Sequence, residues 1–454
     1  MKKSLRIPVF YASLLMLAVF CLFVPEDFEQ RNMLMAGGLL VFAILNWIME
    51  TVPIAVTSLC VIAVVPFTGL RSFAGAIEGS FGNSVFGFFL GVLLLSYAFK
   101  ETGLGQLITL GLFRLFGGKP RNVVLGIMVS GAALAMWITE VAAAAVVFPI
   151  AMSIWEKTKG NENHAAFGKA IMLAVAWGCA FGGVATPIAT GANLIAINYL
   201  QSQCGIAITF GEWMKIGLPI CMTLVAVGWG LLVFRLPNRE TLSMDAERPA
   251  FGRREKALTV IFCAAIVLWT FGSNIGLGSH HVALLAALAL FMPGIEVIEW
   301  KRSIAGISWD SIMLIASGML LGDLLYETGV AQAIANVIFA PELLQGGLFV
   351  RGFVIVLMVS VLKILFSSNT VSGIVLVPMM ISVAMTHGLS AWGLVAPCIF
   401  SSALSLIVVS SSPVNVIPYS SRAFTPGEMA RSGVVMTLCA AAVIGFWLMV
   451  LGVN

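Results

Sequence analysis

Residues 363–380 read KILFSSNTVSGIVLVPMM, and this stretch decides the fold. A polar cluster, residues 367–370, interrupts an otherwise apolar run, and Lys363 stands one helical turn before it. Backbone that is not helical is tolerated at membrane depth where it is buried in protein or lines a wet cavity. If the chain lies in a membrane, the cluster therefore predicts a break in a spanning segment.

The composition places the chain in a bilayer. The 454 residues are 60% hydrophobic and 10% charged, whereas soluble domains are about 45–50% apolar. A helix that crosses the hydrocarbon needs about 20 apolar residues, and roughly a dozen such stretches are present. A transmembrane β-barrel would show short alternating segments instead of these long continuous ones. The sequence predicts an all-α polytopic membrane protein.

The basic residues indicate how the chain is threaded. With a cytoplasmic N-terminus, all but five of the 25 Lys and Arg residues fall on the cytoplasmic side, as the positive-inside rule requires. This threading works if residues 121–155 and 352–387 each enter and leave on one side, which predicts two re-entrant hairpins. The net charge of +4 reflects this orientation and is no sign of nucleic-acid binding. We expect a multi-pass protein in the cytoplasmic membrane of a prokaryote.

Three pairs of segments match in the same order in the two halves of the chain. In the first pair, five of eight positions are identical. An odd number of crossings in each half would turn the second half upside down, which is typical of secondary transporters. The matching segments are 101–108 (ETGLGQLI) with 327–334 (ETGVAQAI), 136–141 (MWITEV) with 366–370 (FSSNT), and 189–193 (ATGAN) with 411–415 (SSPVN).

The pattern predicts two inverted repeats, each of five transmembrane helices and one re-entrant hairpin, after one extra helix, with about 11 spans in all. The predicted divisions are an N-terminal helix at 1–32, a first repeat at 33–235, a cytoplasmic linker at 236–256 and a second repeat at 257–454. Within them we expect hairpins at about 121–155 and 352–387 and broken-helix loops at about 183–193 and 410–415.

Four motifs together resemble those of the divalent anion/sodium symporter family, whose members carry dicarboxylates, tricarboxylates and in some cases sulfate. They are residues 46–54 (NWIMETVPI), 190–193 (TGAN), 368–370 (SNT) and 412–415 (SPVN). The resemblance spans about residues 36–445. It implies a homodimer that moves small organic anions by an elevator mechanism, with a substrate carboxylate on the hairpin tips and sodium ions behind them.

The resemblance also implies a set of site residues. The predicted substrate-binding residues are Thr139, Glu140, Val141, Thr190, Asn193, Ser368, Asn369, Thr370, Ser412, Pro413 and Asn415. The predicted cation or charge-coupling residues are Glu140, Ala189, Lys363, Ser367 and Ser411, with sodium at Thr139, Glu140, Ala189, Asn369 and Ser411. No organic cofactor is expected; the expected partners are the anion, membrane lipid and a second copy of the chain.

The chain departs from the family pattern at two charged residues. The first triplet reads Thr139-Glu140-Val141, so an acid stands where an amide is expected. An ionisable residue inside a membrane is by default a functional hypothesis. Lys363 lies about 18 Å along a helix from Arg351, too deep to return its ammonium easily to that surface.

The residues leave the coupling open. Lys363 replaces a sodium ion and the protein exchanges anions, or Glu140 carries a proton, or Glu140 binds sodium more strongly than an amide would. An ionised Glu140 would repel a second carboxylate, which weighs against a doubly or triply charged substrate. The resemblance implies the di- or tricarboxylate class, and we expect an organic dicarboxylate. An arsenite or sodium/proton antiporter-like carrier is the alternative function.

An enzyme is disfavoured because there is no HExxH motif and the four histidines lie in predicted loops or at span ends.

Overall fold

The computed structural model describes residues 3–25, 27–234, 236–237, 251–338, 346–366 and 368–453. Within these ranges the chain forms 21 α-helices and no β-strand, which confirms the predicted all-α class. Most of the predicted linker at 236–256 lies outside the described residues, and so does Ser367.

The helices divide between the two halves of the chain. The first half contains α1 (Lys3–Phe23), α2 (Arg31–Met49), α3 (Ile54–Thr68), α4 (Phe73–Ser80), α5 (Ser84–Thr102), α6 (Leu104–Phe116), α7 (Pro120–Ala135), α8 (Glu140–Glu156), α9 (His164–Ala185), α10 (Gly191–Cys204) and α11 (Phe210–Val233). The second contains α12 (Arg253–Phe271), α13 (Ser279–Ala289), α14 (Trp300–Gly306), α15 (Trp309–Glu327), α16 (Val330–Ile338), α17 (Leu348–Leu362), α18 (Asn369–His387), α19 (Ala391–Ser402), α20 (Pro413–Tyr419) and α21 (Pro426–Val450).

Nine of the described helices are long and apolar enough to cross a membrane. Four more, α3, α7, α13 and α19, are apolar but shorter. Short apolar helices fit a protein whose spanning segments are interrupted, because a full crossing needs about 20 residues. The total of about 11 spans and the repeat boundaries remain predictions.

Two helix pairs occupy equivalent places in the halves. In the first, α7 and α8 are joined by residues 136–139 and both pack on α9; in the second, α17 and α18 are joined by residues 363–368 and both pack on α19. Glycine makes the close approach of α7 and α9 possible. A Cβ on Gly178 would lie 2.5 Å from the carbonyl oxygen of Met128, and one on Gly182 would lie 2.4 Å from that of Ala132. We call residues 136–141 the first tip and residues 363–370 the second tip.

Helix α9 is broken from α10, and α19 from α20, by short segments that are not α-helical and that each contain one 3₁₀ turn, Pro187–Ala189 and Val409–Ser411. At the first break, residues 186–190, Pro187 cannot donate a backbone hydrogen bond and biases Thr186 to the extended conformation seen there. At the second break, residues 403–412, Ser412 is likewise extended and Pro413 begins α20, a favourable place for proline. The prolines, together with the hydroxyl side chains of Thr190 and Ser412 that cap the next helices, therefore determine where both α-helical runs are interrupted.

Each half contributes to the packing of the other. Helix α10, which follows the first break, packs on α18, and α20, which follows the second break, packs on α8. The tip of one half and the break of the other are thereby brought side by side. The packing of each half on the other therefore brings the predicted site residues together.

The matched ETG segments form ion pairs between the halves. Arg302 lies 3.9 Å from Glu101 and Arg71 lies 2.5 Å from Glu327. Both acids lie in the last turn of a helix, α5 or α15. These partly exposed pairs contribute little stability, but they tie α5 and α15 reciprocally to the other half.

Candidate functional site

A cavity of about 480 Å³ lies between the two tips and the residues that follow the two breaks. Ten of the predicted site residues line it: Thr139, Glu140, Val141, Ala189, Thr190, Ser368, Asn369, Thr370, Ser412 and Pro413. Its volume is in the range of small-molecule sites. The structure thus brings both tips and both breaks to one place.

Four hydroxyl side chains at the cavity cap the helices that begin there. Thr139 accepts a hydrogen bond from the backbone N–H of Ala142 at 3.4 Å, which caps α8. Ser368 accepts one from Val371 at 3.5 Å, capping α18. Thr190 and Ser412 cap α10 and α20 in the same way. Because the first N–H groups of a helix have no acceptor within it, the N-termini of α8, α10 and α18 provide donors for an anion. Helix α20 begins with Pro413, which has no N–H.

The two tips are joined by a hydrogen bond between buried side chains. The amide Nδ2 of Asn369 donates to Oε1 of Glu140. On its other side, the Oδ1 of Asn369 accepts from the hydroxyl of Ser405 at 3.1 Å. Glu140 is 7% exposed and Asn369 5%. The acid of the first tip and the amide of the second therefore share one buried network.

Two acceptor oxygens beside the first break have no hydrogen-bond partner among the described residues. They are Oε2 of Glu140 and Oδ1 of Asn193, and both are buried. Gly183 lies next to both residues: its carbonyl accepts from Nδ2 of Asn193 at 2.9 Å, and a Cβ on it would lie 3.1 Å from Oε2 of Glu140. Buried polar atoms normally have partners. A carboxylate and an amide oxygen here suit a bound cation, or a proton on Glu140.

Asn193 and Asn415 lie behind the breaks and do not line the main cavity. Nδ2 of Asn193 donates to the carbonyls of Gly183 and Thr186, each at 2.9 Å. Nδ2 of Asn415 donates to the carbonyls of Ser405 and Val408 at 2.6 and 3.2 Å. These amides supply donors to backbone oxygens that the broken helices leave free. Their role in substrate binding stays a prediction; in the structure each amide nitrogen turns to its own break.

Lys363 is buried at the second break. It is 2% exposed, and its Nζ donates to the carbonyl of Ser402, the last residue of α19. A cation is favourable at the C-terminus of a helix. With Ser411 it lines a separate small space of about 10 Å³, enough for about one water molecule. Within the described part of the chain, Lys363 and Glu140 form no direct ion pair.

Several residues that line the cavity were not predicted from the sequence. Charged members of this set are Glu50, Lys100 and Asp310, and apolar ones include Phe89 and Leu93. The carboxylate of Asp310 accepts from the backbone N–H of Ala55 at 2.9 Å, in the first turn of α3. Glu50 falls in the 46–54 motif, so a signal existed for it. No local pattern marks Phe89 or Leu93, whose position depends on how α5 packs.

Residues 3–453 match the family model described as the sodium:sulfate symporter transmembrane region. This chain belongs to that family. It is 26% identical over 436 residues to an uncharacterized transporter of Haemophilus influenzae, covering 90% of this chain and 91% of that one. It is 24% identical over 466 residues to the sodium-dependent dicarboxylate transporter SdcS of Staphylococcus aureus, covering 95% of this chain and 88% of the relative.

The comparison with solved structures supports a transporter fold. The crystal structure of the Alcanivorax borkumensis YdaH transporter superimposes with a TM-score of 0.59, 15% identity, and coverage of 82% of this chain and 86% of that one. The predicted resemblance to the divalent anion/sodium symporters is confirmed, and the chain is a multi-pass membrane transporter, not an enzyme.

Proposed function

We propose that this transporter is a secondary carrier of small organic carboxylates whose movement is coupled to a cation. One observation carries the proposal: hydroxyl-capped N-termini of helices from both halves meet at a single cavity. Helix N-termini favour anions through their free N–H groups and the helix dipole. The name of the Staphylococcus aureus relatives, sodium-dependent dicarboxylate transporter, supports both the carboxylate and the sodium.

The carboxylate binds at the second tip. Ser368 and Thr370 bring hydroxyl groups to the cavity, and α18 begins there with 19 residues behind its first turn. Helix α10, of 14 residues, begins beside it at Gly191. The di- or tricarboxylate class that the resemblance implies remains a prediction.

The cation is cargo, and it binds beside the first break. Oε2 of Glu140 and Oδ1 of Asn193 are its proposed ligands, because both are buried acceptors without a donor. Thr139 and the carbonyl of Ala189 are proposed to complete the shell, and both residues line the cavity. The cation is sodium, or a proton bound to Glu140.

Lys363 supplies a fixed positive charge at the second break. Its ammonium already satisfies the carbonyl of Ser402, and we propose that it takes the place of one mobile cation there. Oδ1 of Asn415 at this break is nevertheless buried without a partner among the described residues, as Oδ1 of Asn193 is at the first break.

The difference in fixed charge between the two breaks favours a second candidate function, anion exchange. In an exchanger, the positive charge of Lys363 would balance the charge of the anion at the second break and would stay in the protein throughout the cycle. Burying an ammonium is costly in free energy unless it is well hydrogen-bonded. A lysine kept at this buried position therefore supports a functional role for its charge.

We further propose that the two halves form inverted repeats and that tips and breaks move as one body. The Glu140–Asn369 hydrogen bond and the packing of α10 on α18 and α20 on α8 support a rigid site. An elevator movement of this body within a homodimer would expose the cavity to each side of the cytoplasmic membrane in turn.

Uptake into proteoliposomes tests the proposal. Labelled succinate, citrate, tartrate, sulfate and a monocarboxylate are compared with and without a sodium gradient, and arsenite tests the alternative carrier. Asn369→Ala removes the amide that joins the tips and is expected to abolish uptake. Asn336→Ala, which removes an exposed amide that does not line the cavity, is the control. Sodium-independent arsenite flux without carboxylate uptake would overturn the proposal.

A further inference from the structure

We infer that a second cavity, separate from the main one, binds an uncharged aromatic molecule that carries one hydrogen-bond acceptor, and that a ligand there slows transport. The inference goes beyond the proposed function, because this ligand is not the cargo. The second cavity has a volume of about 320 Å³ and lies between the start of α5, helix α10, the start of α11 and residues 269–280. Its volume reaches the range of small-molecule sites.

The two cavities lie at different ends of α5. The second cavity is lined by Ser84, Val85 and Phe88, in the first turns of this helix. The main cavity extends along the same helix to Tyr97 and Lys100, in its last turns. No described residue lines both cavities. A ligand of the second cavity therefore does not compete directly with the carboxylate.

Three aromatic side chains line the second cavity and contact one another. The rings of Phe210 and Trp269 are stacked, with centroids 5.3 Å apart and planes inclined by 15°. The ring of Phe88 meets that of Trp269 edge-on, with centroids 6.2 Å apart and planes inclined by 82°. Aromatic pairs prefer such stacked and edge-on arrangements. This part of the lining therefore suits a flat aromatic ring.

Asn198 supplies the second cavity with a donor that has no acceptor. Its side chain lines the cavity, and its Nδ2 is buried without a hydrogen-bond partner among the described residues. Buried polar atoms normally have a partner, and a carbonyl oxygen of a ligand would provide one. The described lining contains no Asp, Glu, Lys or Arg, and its one ionisable side chain is His280. Because an unpaired buried charge is costly, the ligand class is uncharged.

The second cavity is connected to both parts of the proposed cation site. Trp137 of the first tip stacks on Phe210, with centroids 6.5 Å apart and planes inclined by 20°. Pro187 of the first break lines the second cavity directly. A ligand held between Phe210 and Pro187 would restrain the tip and the break that we propose to move together. Binding in the second cavity would therefore lower the rate of transport.

Benzophenone and diphenylmethane form a matched pair of probes, because they differ by one carbonyl group between the same two rings. Carboxylate uptake into proteoliposomes is measured at increasing concentrations of each probe in the lipid. We expect benzophenone to lower kcat without raising KM. We expect it to act at about 2- to 12-fold lower concentration than diphenylmethane, because its carbonyl accepts a hydrogen bond from Asn198.

Benzophenone also marks the place where it binds. Under near-ultraviolet light its carbonyl oxygen takes a hydrogen atom from a neighbouring C–H group, and the two carbon atoms then join. The transporter is irradiated with the probe in proteoliposomes, and the labelled peptides are identified by mass spectrometry. We expect labels within residues 84–88, 194–210 and 269–280. Labels confined to α1, which has exposed apolar side chains, would show that the probe only dissolves in the lipid and would overturn the inference.

Two variants test the donor and the connection to the first tip. Asn198→Leu replaces the donor by an apolar side chain of similar size and is expected to make the two probes equally potent. Trp137→Leu removes the ring that stacks on Phe210 but does not line the second cavity. We expect this variant to be labelled as before, while the inhibited fraction of its own uptake falls. Asn336→Leu, at an exposed amide outside both cavities, is the control, and size-exclusion profiles establish that each variant is folded.

Labelling does not require transport, so the outcomes separate this inference from the proposed function. Wild-type protein that takes up no carboxylate but is labelled in the second cavity would refute the proposed function alone. The inference fails if benzophenone raises KM without lowering kcat, because the probe would then compete for the main cavity. It also fails if the two probes are equally potent on the wild type, since Asn198 would then donate to neither.

Discussion

Replacing Glu140 by Gln removes one negative charge from the buried network while keeping the shape of the side chain. The retained Oε1 can still accept from Asn369. The other end of the side chain changes from an unpartnered oxygen to an amide group that only donates. The substitution therefore tests the first-break cation site without breaking the link between the tips.

The expected magnitude follows from one lost charge-assisted contact. Such a contact contributes about 1.5–3 kcal/mol, which corresponds to about 10- to 150-fold in the half-saturating cation concentration. The effect is not screened by solvent, because Glu140 is 7% exposed. If the cation is a proton, Glu140→Gln instead removes the dependence of uptake on a pH gradient, since an amide does not take up the proton.

Two measurements check this prediction. Uptake is followed as a function of sodium concentration and of the imposed pH gradient. The thermal stability of purified protein is followed with and without sodium, because an ion at 100 times its Kd stabilises the folded state by about 2.7 kcal/mol. If sodium is the cargo, we expect the variant to gain only about 0.3–1.4 kcal/mol at the same sodium concentration.

Glu78→Gln, at an exposed acid outside the cavity lining, controls for the loss of one charge. The reasoning is refuted if Glu140→Gln has the same sodium and pH dependence as the wild type. The cation would then bind elsewhere, and the unpartnered oxygen of Glu140 would be structural.

Lys363→Met removes the ammonium that bonds to the carbonyl of Ser402, and we expect one additional sodium ion to be carried with each carboxylate. The reversal potential of uptake measures this ratio; an unchanged reversal potential with normal uptake would contradict the prediction. Asn193→Ala and Asn415→Ala should each lower the free energy of unfolding by about 1–3 kcal/mol, because the backbone carbonyls at the two breaks lose their hydrogen-bond donors. Chemical denaturation measures the change in this free energy. Tyr199→Phe removes a buried hydrogen bond to Gly318 and should cost about 1 kcal/mol while leaving the KM for carboxylate unchanged.

The positions where helices stop could be predicted because their causes are local. Pro187 and Pro413 interrupt their helices through their own backbone chemistry, and Thr139 and Ser368 cap the helices that follow them. The predicted first loop, 183–193, contains the interruption at 186–190, whereas the second interruption, 403–412, begins before the predicted loop at 410–415. The all-α class followed from composition for the same reason, since each apolar run satisfies its own backbone.

The role of the two break asparagines could not be predicted. The family motif predicts that Asn193 and Asn415 bind substrate, which stays a prediction; that their amide nitrogens donate to backbone carbonyls behind the cavity is seen only in the structure. The direction of a side chain depends on which oxygen atoms the folded chain leaves without donors. That depends on the path of the break, which no spacing in the sequence specifies.

The sequence by itself determined that this protein is helical, lies in a membrane, and carries an acid and a buried lysine at two matched interruptions. These features follow from hydropathy and from prolines and helix-capping residues, whose effects reach only a few positions along the chain. The tertiary structure alone decided that Glu140 bonds to Asn369, that one of its oxygens is left without a partner, and that Lys363 turns to Ser402. The partners are far apart in the chain, so their contacts exist only once both halves have packed together.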